Sequence, residues 1–384
     1  MCKLLKNGYC LTPENPGKKD ILIVAEKIYK IGEEISNQGL FDDVEVIDCS
    51  GKLVCPGIID LHVHITGGGG EDGPGSRIPE VMLSDLISAG VTTVVGVLGV
   101  DSITRSIAGL LAKAKSLEAE GITAYIYTGS YGIPLVTLTG KVVSDIALIN
   151  EVLGIGEYAI SDYRSVYPSI QRLSELAAEV KVGGLLGGKA GIIHIHVGDG
   201  KEGLTPLFKL LEESDFPKKM FVPTHLNRNK KLFQQALHYL KSGGYIDLTA
   251  GETSERGYSI PDALEILFSR QVNMDHVTLS SDGNGSVPLD NGRGFGLGRV
   301  GQLFEDVRSS ILDKGLDLVS VLKTVTINPA KVLNIYPRKG VLAKGSDADI
   351  LVLNKDEITI DWLIAKGKSF VEQGKLVKKG QYER

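Results

Sequence analysis

Between residues 57 and 282, short apolar runs recur with amphipathic stretches between them. The runs 57–64, 92–98, 122–129, 152–160, 191–197, 220–225, 244–249 and 276–282 predict strands. The segments Val81–Ser88, Asp101–Glu120, Ser169–Val180, Leu204–Ser214, Asn229–Lys241 and Ile260–Arg270 carry apolar residues at helical spacing and predict helices. Eight such units over about 280 residues imply an α/β protein built as a (β/α)8, TIM-type barrel. Both ends have a different texture. Cys2–Leu5, Ile21–Ala25, Lys27–Ile31 and Phe41–Asp48 are strand-like, with breaks at Asn15-Pro16-Gly17 and Gly51. Ala348–Leu353 and Ile364–Lys368 are strand-like too, and Glu372–Val377 reads as a hairpin. The economical arrangement is one small β-sandwich domain, residues 1–55 plus 337–384, capping a barrel of residues 56–336.

The barrel reading directs attention to the C-terminal ends of the strands, where such folds place their chemistry. The first strand ends Asp60-Leu61-His62-Val63-His64. Alternation puts Asp60, His62 and His64 on one face and Ile59, Leu61 and Val63 on the other. Two imidazoles side by side form half of a divalent-metal site. Strand four carries Glu157, strand five ends His194-Ile195-His196, strand six ends at His225, and strand eight ends at Asp282. Of the seven histidines, His62, His64, His194, His196 and His225 lie on barrel strands. Four of them, with Asp282 and Glu157, supply enough ligands for two adjacent metals. His194, one layer deeper than His196, and Asp60, beneath His62, read as supports, Asp60 orienting an imidazole. His238 and His276, the latter opening strand eight, read as structural, and Asp101 and Asp199 remain unassigned.

Composition narrows the setting. The 384 residues are 42% hydrophobic and 23% charged, with a net charge of −5, which argues against a nucleic-acid or anionic-membrane partner. The four cysteines, Cys2, Cys10, Cys49 and Cys55, show no metal-knuckle spacing and suit reduced thiols in a cytoplasmic protein. There is no signal-peptide pattern and no apolar run of the roughly 20 residues needed to span a bilayer.

The Pro56-Gly57-Ile58-Ile59-Asp60-Leu61-His62-Val63-His64 stretch, followed by single His, His and Asp at later strand ends, resembles the amidohydrolase superfamily. Five further motifs resemble its isoaspartyl (β-aspartyl) dipeptidases over nearly the whole chain: Gly67-Gly68-Gly69-Gly70-Glu71, Thr128-Gly129-Ser130-Tyr131, Ser161-Asp162-Tyr163-Arg164-Ser165, Thr224-His225-Leu226-Asn227-Arg228 and Ser281-Asp282-Gly283-Asn284-Gly285-Ser286. The resemblance implies two zinc ions, His62 and His64 holding one and His196 and His225 the other. Asp282 would bind the first and act as general base, then acid, for a metal-bridging hydroxide attacking the β-aspartyl amide. It implies Glu71 for the substrate ammonium, Arg164 and Arg228 for its carboxylates, and Tyr131 as donor to the developing oxyanion. Ser286 and the Gly69 backbone would line the same pocket. Arg164 could also pair with Asp162 in a purely structural role.

Two positions depart from the family pattern. Many relatives bridge the metals with a carboxylated lysine on strand four, whereas the aligned residue, seven before Arg164, is Glu157. Glu157 offers the same charge and two oxygens from a shorter side chain, so either the strand moves inward, the metals shift, or the site is looser. Val100 stands where such enzymes can place a hydroxyl residue. The expected substrates are small isoaspartyl dipeptides, and the resemblance favours a homo-oligomer, with an octamer as the candidate assembly. The rival readings are another amidohydrolase, acting on a cyclic amide or an N-acyl amino acid, and a metal-free scaffold homologue.

Overall fold

Strand and helix alternate from Ile58 onward and close into a ring. The computed structural model of the chain describes residues 2–12, 16–36, 44–288 and 294–383. The barrel strands are β1 (Ile58–Val63), β2 (Val91–Gly96), β3 (Thr123–Thr128), β4 (Val152–Ile160), β5 (Ile192–Val197), β6 (Phe221–Thr224), β7 (Ile246–Thr249) and β8 (Val277–Ser280). β1 to β6 pair in parallel in sequence order, and β7 pairs in parallel with β8. The Leu226 N–H donates to the Asp247 carbonyl, and a Val63–Gly283 bridge joins the end of β8 to β1. These strands are buried on both faces, which is why they read as continuous apolar runs.

One set of strand residues faces the helices. Val94, Ala124, Ile126, Ile155 and Ile193 pack there with Leu110, Leu117, Ile146 and Leu176. The other set, Val95, Val97, Tyr125, Tyr127, Ile192 and Val222, fills the barrel interior with Ile59 and Leu61. The simple alternation expected for β1 therefore fails: Leu61 belongs to the interior set and Val63 to the outer one. Register irregularities between Asp60 and Val63 supply the reason, because each slip changes the face that a side chain meets.

Most of the helices match their expected spans, but the one expected from Asp101 begins at Ile107. The Asp101 carboxylate accepts the N–H groups of Ile103 and Thr104, which holds residues 101–104 in a turn, and Ser106 caps the helix instead. Helices Val142–Leu148 and Val300–Leu312 complete units whose sequence signal is weak. His276 closes a 3-10 turn before β8 rather than opening the strand.

Among the described residues, the two ends of the chain form one nine-stranded sheet. Strand Lys52–Pro56 pairs with Ile350–Asn354 on one side and Cys2–Cys10 on the other, joining the N-terminal strands to the C-terminal ones. Leu5, Ile21, Ile23 and Ile28 share one core with Val54, Ile350, Val352 and Ile364, so the two halves of the sheet fold over each other as a sandwich. The alternate residues Leu53, Cys55, Leu351, Leu353 and Leu363 face the main core of the barrel. Gln373 and Gly374 turn the expected hairpin between Lys368–Glu372 and Lys375–Leu376. Ile364–Lys368 spans a strand end and the following turn. The expectations at Asn15 and at Phe41–Asp43 lie outside the described residues.

Candidate active site

Strand ends carry every ligand candidate to one rim. His62 lies on β1 with His64 just past its end, Glu157 lies on β4 and His196 on β5, His225 follows β6, and Asp282 follows β8. All six are buried. His225 and Asp282 have φ values of 61° and 49°, in the left-handed region. Such strain costs on the order of 1–3 kcal/mol per residue and persists only where the surroundings impose it.

His62 Nε2 lies 3.5 Å from Glu157 Oε2 and 3.4 Å from Asp282 Oδ1. His64 Nε2 lies 3.6 Å and 3.1 Å from the same two oxygens. The other oxygen of Glu157, Oε1, faces His196 Nδ1 at 2.5 Å and His225 Nε2 at 2.9 Å. Glu157 thus stands between two histidine pairs with one oxygen toward each. Three overlapping triples have ligand atoms close enough for an ion: His62–His64–Glu157, His62–His225–Asp282 and Glu157–His196–His225. His62 Nε2, Glu157 Oε2 and Asp282 Oδ1 are buried with no hydrogen-bond partner among the described residues. Buried polar atoms left in that state are costly, and a divalent cation is the partner that imidazole nitrogens and carboxylates share. The donor set fits a metal.

The reach of Glu157 has a local cause. Between the pairs Ile155–Ile193 and Tyr158–Ile195, β4 holds two residues where β5 holds one. This β-bulge at Gly156-Glu157 re-aims the side chain inward. Gly156 permits it, since a Cβ there would meet His194 Cβ and Tyr127 Cδ2 at 3.0 Å.

The far nitrogens of the imidazoles are also held. His62 Nδ1 meets His194 Nε2 at 2.8 Å, and His225 Nδ1 meets Thr249 Oγ1 at 2.8 Å. His196 Nε2 meets Asp162 Oδ2 at 2.9 Å. Asp60 does not orient an imidazole. Its Oδ1 accepts the backbone N–H groups of His62 and Ser281, tying β1 to β8, while His194 performs the orienting.

Charge at the site is balanced toward receiving a cation. Burial opposes ionisation of Glu157 and Asp282, yet the surrounding imidazoles outweigh it and hold both below the usual carboxylate range. Burial would lower His62, but Glu157 and Asp282 raise it to about 9. Burial and then Arg228 push His225 down to about 3. Carboxylates that draw protons onto imidazoles draw a metal ion in the same way, and the two compete.

Beside this cluster lies a narrow cavity lined by Gly69, Glu71, Tyr131, Arg164, Arg228 and Ser286 together with His64, His196 and Asp282. Glu71 Oε1 accepts from Ser286 Oγ at 2.7 Å and lies 3.3 Å from Arg164 Nη1, while Oε2 is buried without a partner among the described residues. Arg164 does pair with Asp162, through Nε at 3.0 Å and Nη2 at 2.8 Å, and it lines the cavity as well. Arg228 is held by the Val197 carbonyl at 3.3 Å and by Glu252 at 3.5 Å. Tyr131 Oη lies 2.7 Å from His196 Nδ1, and burial followed by Glu157 pushes its phenol well above the usual value. Val100 lines the same cavity.

Sequence reasoning missed the residue that holds the glycine-rich loop. Buried Arg105 donates to the carbonyls of Thr66, Gly68 and Ile78 and pairs with Asp101. Gly69 turns with φ 76°, and a Cβ there would meet the Ser76 carbonyl oxygen at 2.3 Å. The pairing of Arg105 crosses between loops, so no local pattern announced it. Asp199 pairs with Arg256 and Asn229 at the outer rim.

A profile of the amidohydrolase family matches residues 257–380. A β-aspartyl dipeptidase of Fervidobacterium islandicum AW-1, solved with the dipeptide β-Asp-Leu, is 44% identical over 100% of both chains, with a TM-score of 0.92. The chain belongs to the amidohydrolase family, among the β-aspartyl dipeptidases. A dihydropyrimidinase of Brevibacillus agri shares the fold at 18% identity and a TM-score of 0.69, covering 99% of this chain and 97% of its own. The dihydroorotase of Clostridium acetobutylicum is 30% identical over 186 residues, 45% of this chain. The match spans only 40% of that curated relative's length. Among the described residues no helix is long and apolar enough to cross a membrane.

Proposed function

We propose that this protein is a metal-dependent β-aspartyl dipeptidase that hydrolyses isoaspartyl dipeptides to aspartate and a free amino acid. The observation that carries the reading is the charge complement of one cavity: Glu71 on one loop and Arg164 and Arg228 on two others, set against the His–Glu–Asp cluster. An isoaspartyl dipeptide presents one ammonium and two carboxylates around its amide, which is the complementary set. The full-length likeness to a β-aspartyl dipeptidase solved with β-Asp-Leu supports the same substrate.

Two zinc ions belong to this reading: His62, His64 and Asp282 would hold one, His196 and His225 would hold the other, and Glu157 would serve both. When bound they would supply Lewis acidity, polarising the amide carbonyl and acidifying water. The chain's own residues do the rest. Glu71 and the two arginines hold the substrate termini, so the amide is presented to Asp282 in a fixed pose. Asp282, ionised at neutral pH, takes the proton of the attacking water and returns it to the nitrogen as the C–N bond breaks. Tyr131 keeps its proton and donates to the carbonyl oxygen as charge develops there.

Division of the chain into residues 1–55 plus 337–384 and residues 56–336 belongs to the same proposal, supported by the sheet that both ends share. So do a cytoplasmic setting and assembly from identical subunits. The test is hydrolysis of β-Asp-Leu against α-Asp-Leu by protein of known zinc content, with dihydroorotate as the cyclic substrate. Cleavage of the β-linked dipeptide alone, at two zincs per chain as a binuclear site requires, is expected. Ring opening of dihydroorotate without dipeptide cleavage would overturn the reading.

A further inference from the structure

Asp162 joins the two halves of the site described above. Its Oδ1 accepts the backbone N–H of Arg164 at 2.8 Å and Arg164 Nε–H at 3.0 Å. Its Oδ2 accepts Arg164 Nη2–H at 2.8 Å and lies 2.9 Å from His196 Nε2. One buried carboxylate therefore grips the guanidinium fork on one side and a ligand imidazole on the other. Its mount is rigid. Ser161 Oγ donates to the Gly203 carbonyl, the Gly200 N–H donates to the Ser161 carbonyl at 2.7 Å, and a Cβ at Gly198 would meet Asp162 Cβ at 2.6 Å.

Protonation at His196 follows from that contact. Both ring nitrogens face acceptor-only carboxylates, Nε2 that of Asp162 and Nδ1 that of Glu157 at 2.5 Å, so when a cation takes the proton's place beside Glu157 the one remaining hydrogen is on Nε2, where Asp162 accepts it. His62 and His225 have their far nitrogens on a histidine and a threonine, both without formal charge when His194 is neutral. Within this set, only the partner of His196 is an anion. It is also the only one bonded to a residue that reaches toward substrate.

We propose that Asp162 is a positioning residue that holds the His196 tautomer with Nδ1 open to the metal and, through the same carboxylate, aims the Arg164 fork at a substrate carboxylate. The proposal rests on the dipeptidase reading for the role of Arg164, whereas the hold on His196 stands apart from it. Metal retention and binding of the substrate anion are then coupled through one group, and such coupling acts in both directions.

The test compares Asp162→Ala, Asp162→Asn, Arg164→Ala and the double variant Asp162→Ala/Arg164→Ala. Each is measured for zinc affinity by chelator competition and for kcat and KM on β-Asp-Leu. Loss of an outer partner of a metal ligand typically weakens affinity about 10- to 100-fold, which is the loss expected for Asp162→Ala. KM should rise at least as much as in Arg164→Ala. In the Arg164→Ala background, Asp162→Ala should leave KM unchanged but still weaken zinc. A purely structural role would not separate the two readouts. Asp162→Asn keeps the shape and one acceptor oxygen, so its zinc affinity should fall less than that of Asp162→Ala, with the fold checked by thermal melting. Wild-type zinc affinity in Asp162→Ala, or KM effects that multiply independently in the double variant, would overturn the proposal. If the wild type releases no leucine, the dipeptidase reading fails, and zinc competition still decides whether Asp162 holds His196.

Discussion

Two clusters of buried charge lie at opposite ends of the same barrel. At the C-terminal ends of the strands, Glu157 and Asp282 stand among four imidazoles, with ligand atoms left unpartnered among the described residues. At the other end, buried Lys339 pairs with Asp347 and Asp349, and Asp347 also pairs with Lys27. Asp349 Oδ1 accepts the Lys366 N–H at 2.8 Å, and its backbone carbonyl accepts from Gly57 at the entry to β1. Arg338 reaches the Tyr125 hydroxyl on β3. Every charged side chain of this second cluster has a partner, so it closes the sheet of the termini onto the barrel. The first cluster leaves its partnering open, as a site that takes up a cation and a substrate must. Barrels commonly place activity at one end and stability at the other, and here the difference is visible atom by atom.

Removing a charge should therefore have opposite consequences at the two ends. Asp282→Asn is expected to cost about 10²- to 10⁴-fold in kcat on β-Asp-Leu, while the melting temperature of the metal-free protein stays level or rises. A clear fall in that melting temperature would break the comparison. Lys339→Met leaves Asp347 and Asp349 buried without their shared cation, so a loss of about 3–5 kcal/mol in denaturant unfolding is expected, with KM unchanged.

The pH dependence of the Lys339 network follows from its shifts. Burial lowers Lys339, but Asp349 and Asp347 raise it above the ordinary lysine value, so its stabilisation is complete below that value and fades as pH climbs through the raised one. Burial raises Asp347, but Lys339 and Lys27 hold it below the ordinary carboxylate value, so its stabilisation is present above that value and fades as pH falls through the lowered one. Across neutral pH the contribution of this pair to wild-type stability should be flat, which wild-type unfolding curves at several pH values would check.

Metal removal tests the other end. Zinc at 100 times its dissociation constant should stabilise the stripped protein by about 2.7 kcal/mol per site, read as a rise in melting temperature, and Lys339→Met should retain that increment. Glu71→Gln removes the proposed partner of the substrate ammonium and should raise KM about 10- to 100-fold, the scale of a hydrogen bond to a charged group. Val100→Thr restores a hydroxyl to the cavity. Its expected effect is the smallest, a fall in KM of a few-fold, as for one neutral hydrogen bond.

Much of this organisation was legible before any coordinates. The strand–helix alternation, the ligand histidines and the texture shared by the two ends are local patterns, and periodicity reads local patterns well. The exceptions are instructive. Asp101 looked like the first residue of a helix because the sequence shows its type, not the turn its carboxylate would close. Asp60 looked like a support for an imidazole because alternation placed it below His62, whereas the irregular register of β1 sent it to backbone amides. Arg105 was overlooked because its partners, Thr66, Gly68 and Ile78, lie on another loop.

The sequence alone determined which chemistry was available: imidazoles and carboxylates at strand ends, one acid and two arginines on the loops, and a glutamate on strand four. Side-chain type is a local property, and so is the period that selects strand or helix. Tertiary structure decided which of those groups meet. Glu157 faces both histidine pairs because β4 bulges against β5, Ser286 meets Glu71 because the ring closes, and Asp162 touches His196 because two neighbouring loops pack on glycines. These contacts join residues 34 to 215 positions apart. They depend on strand register and ring closure, which no window of sequence contains.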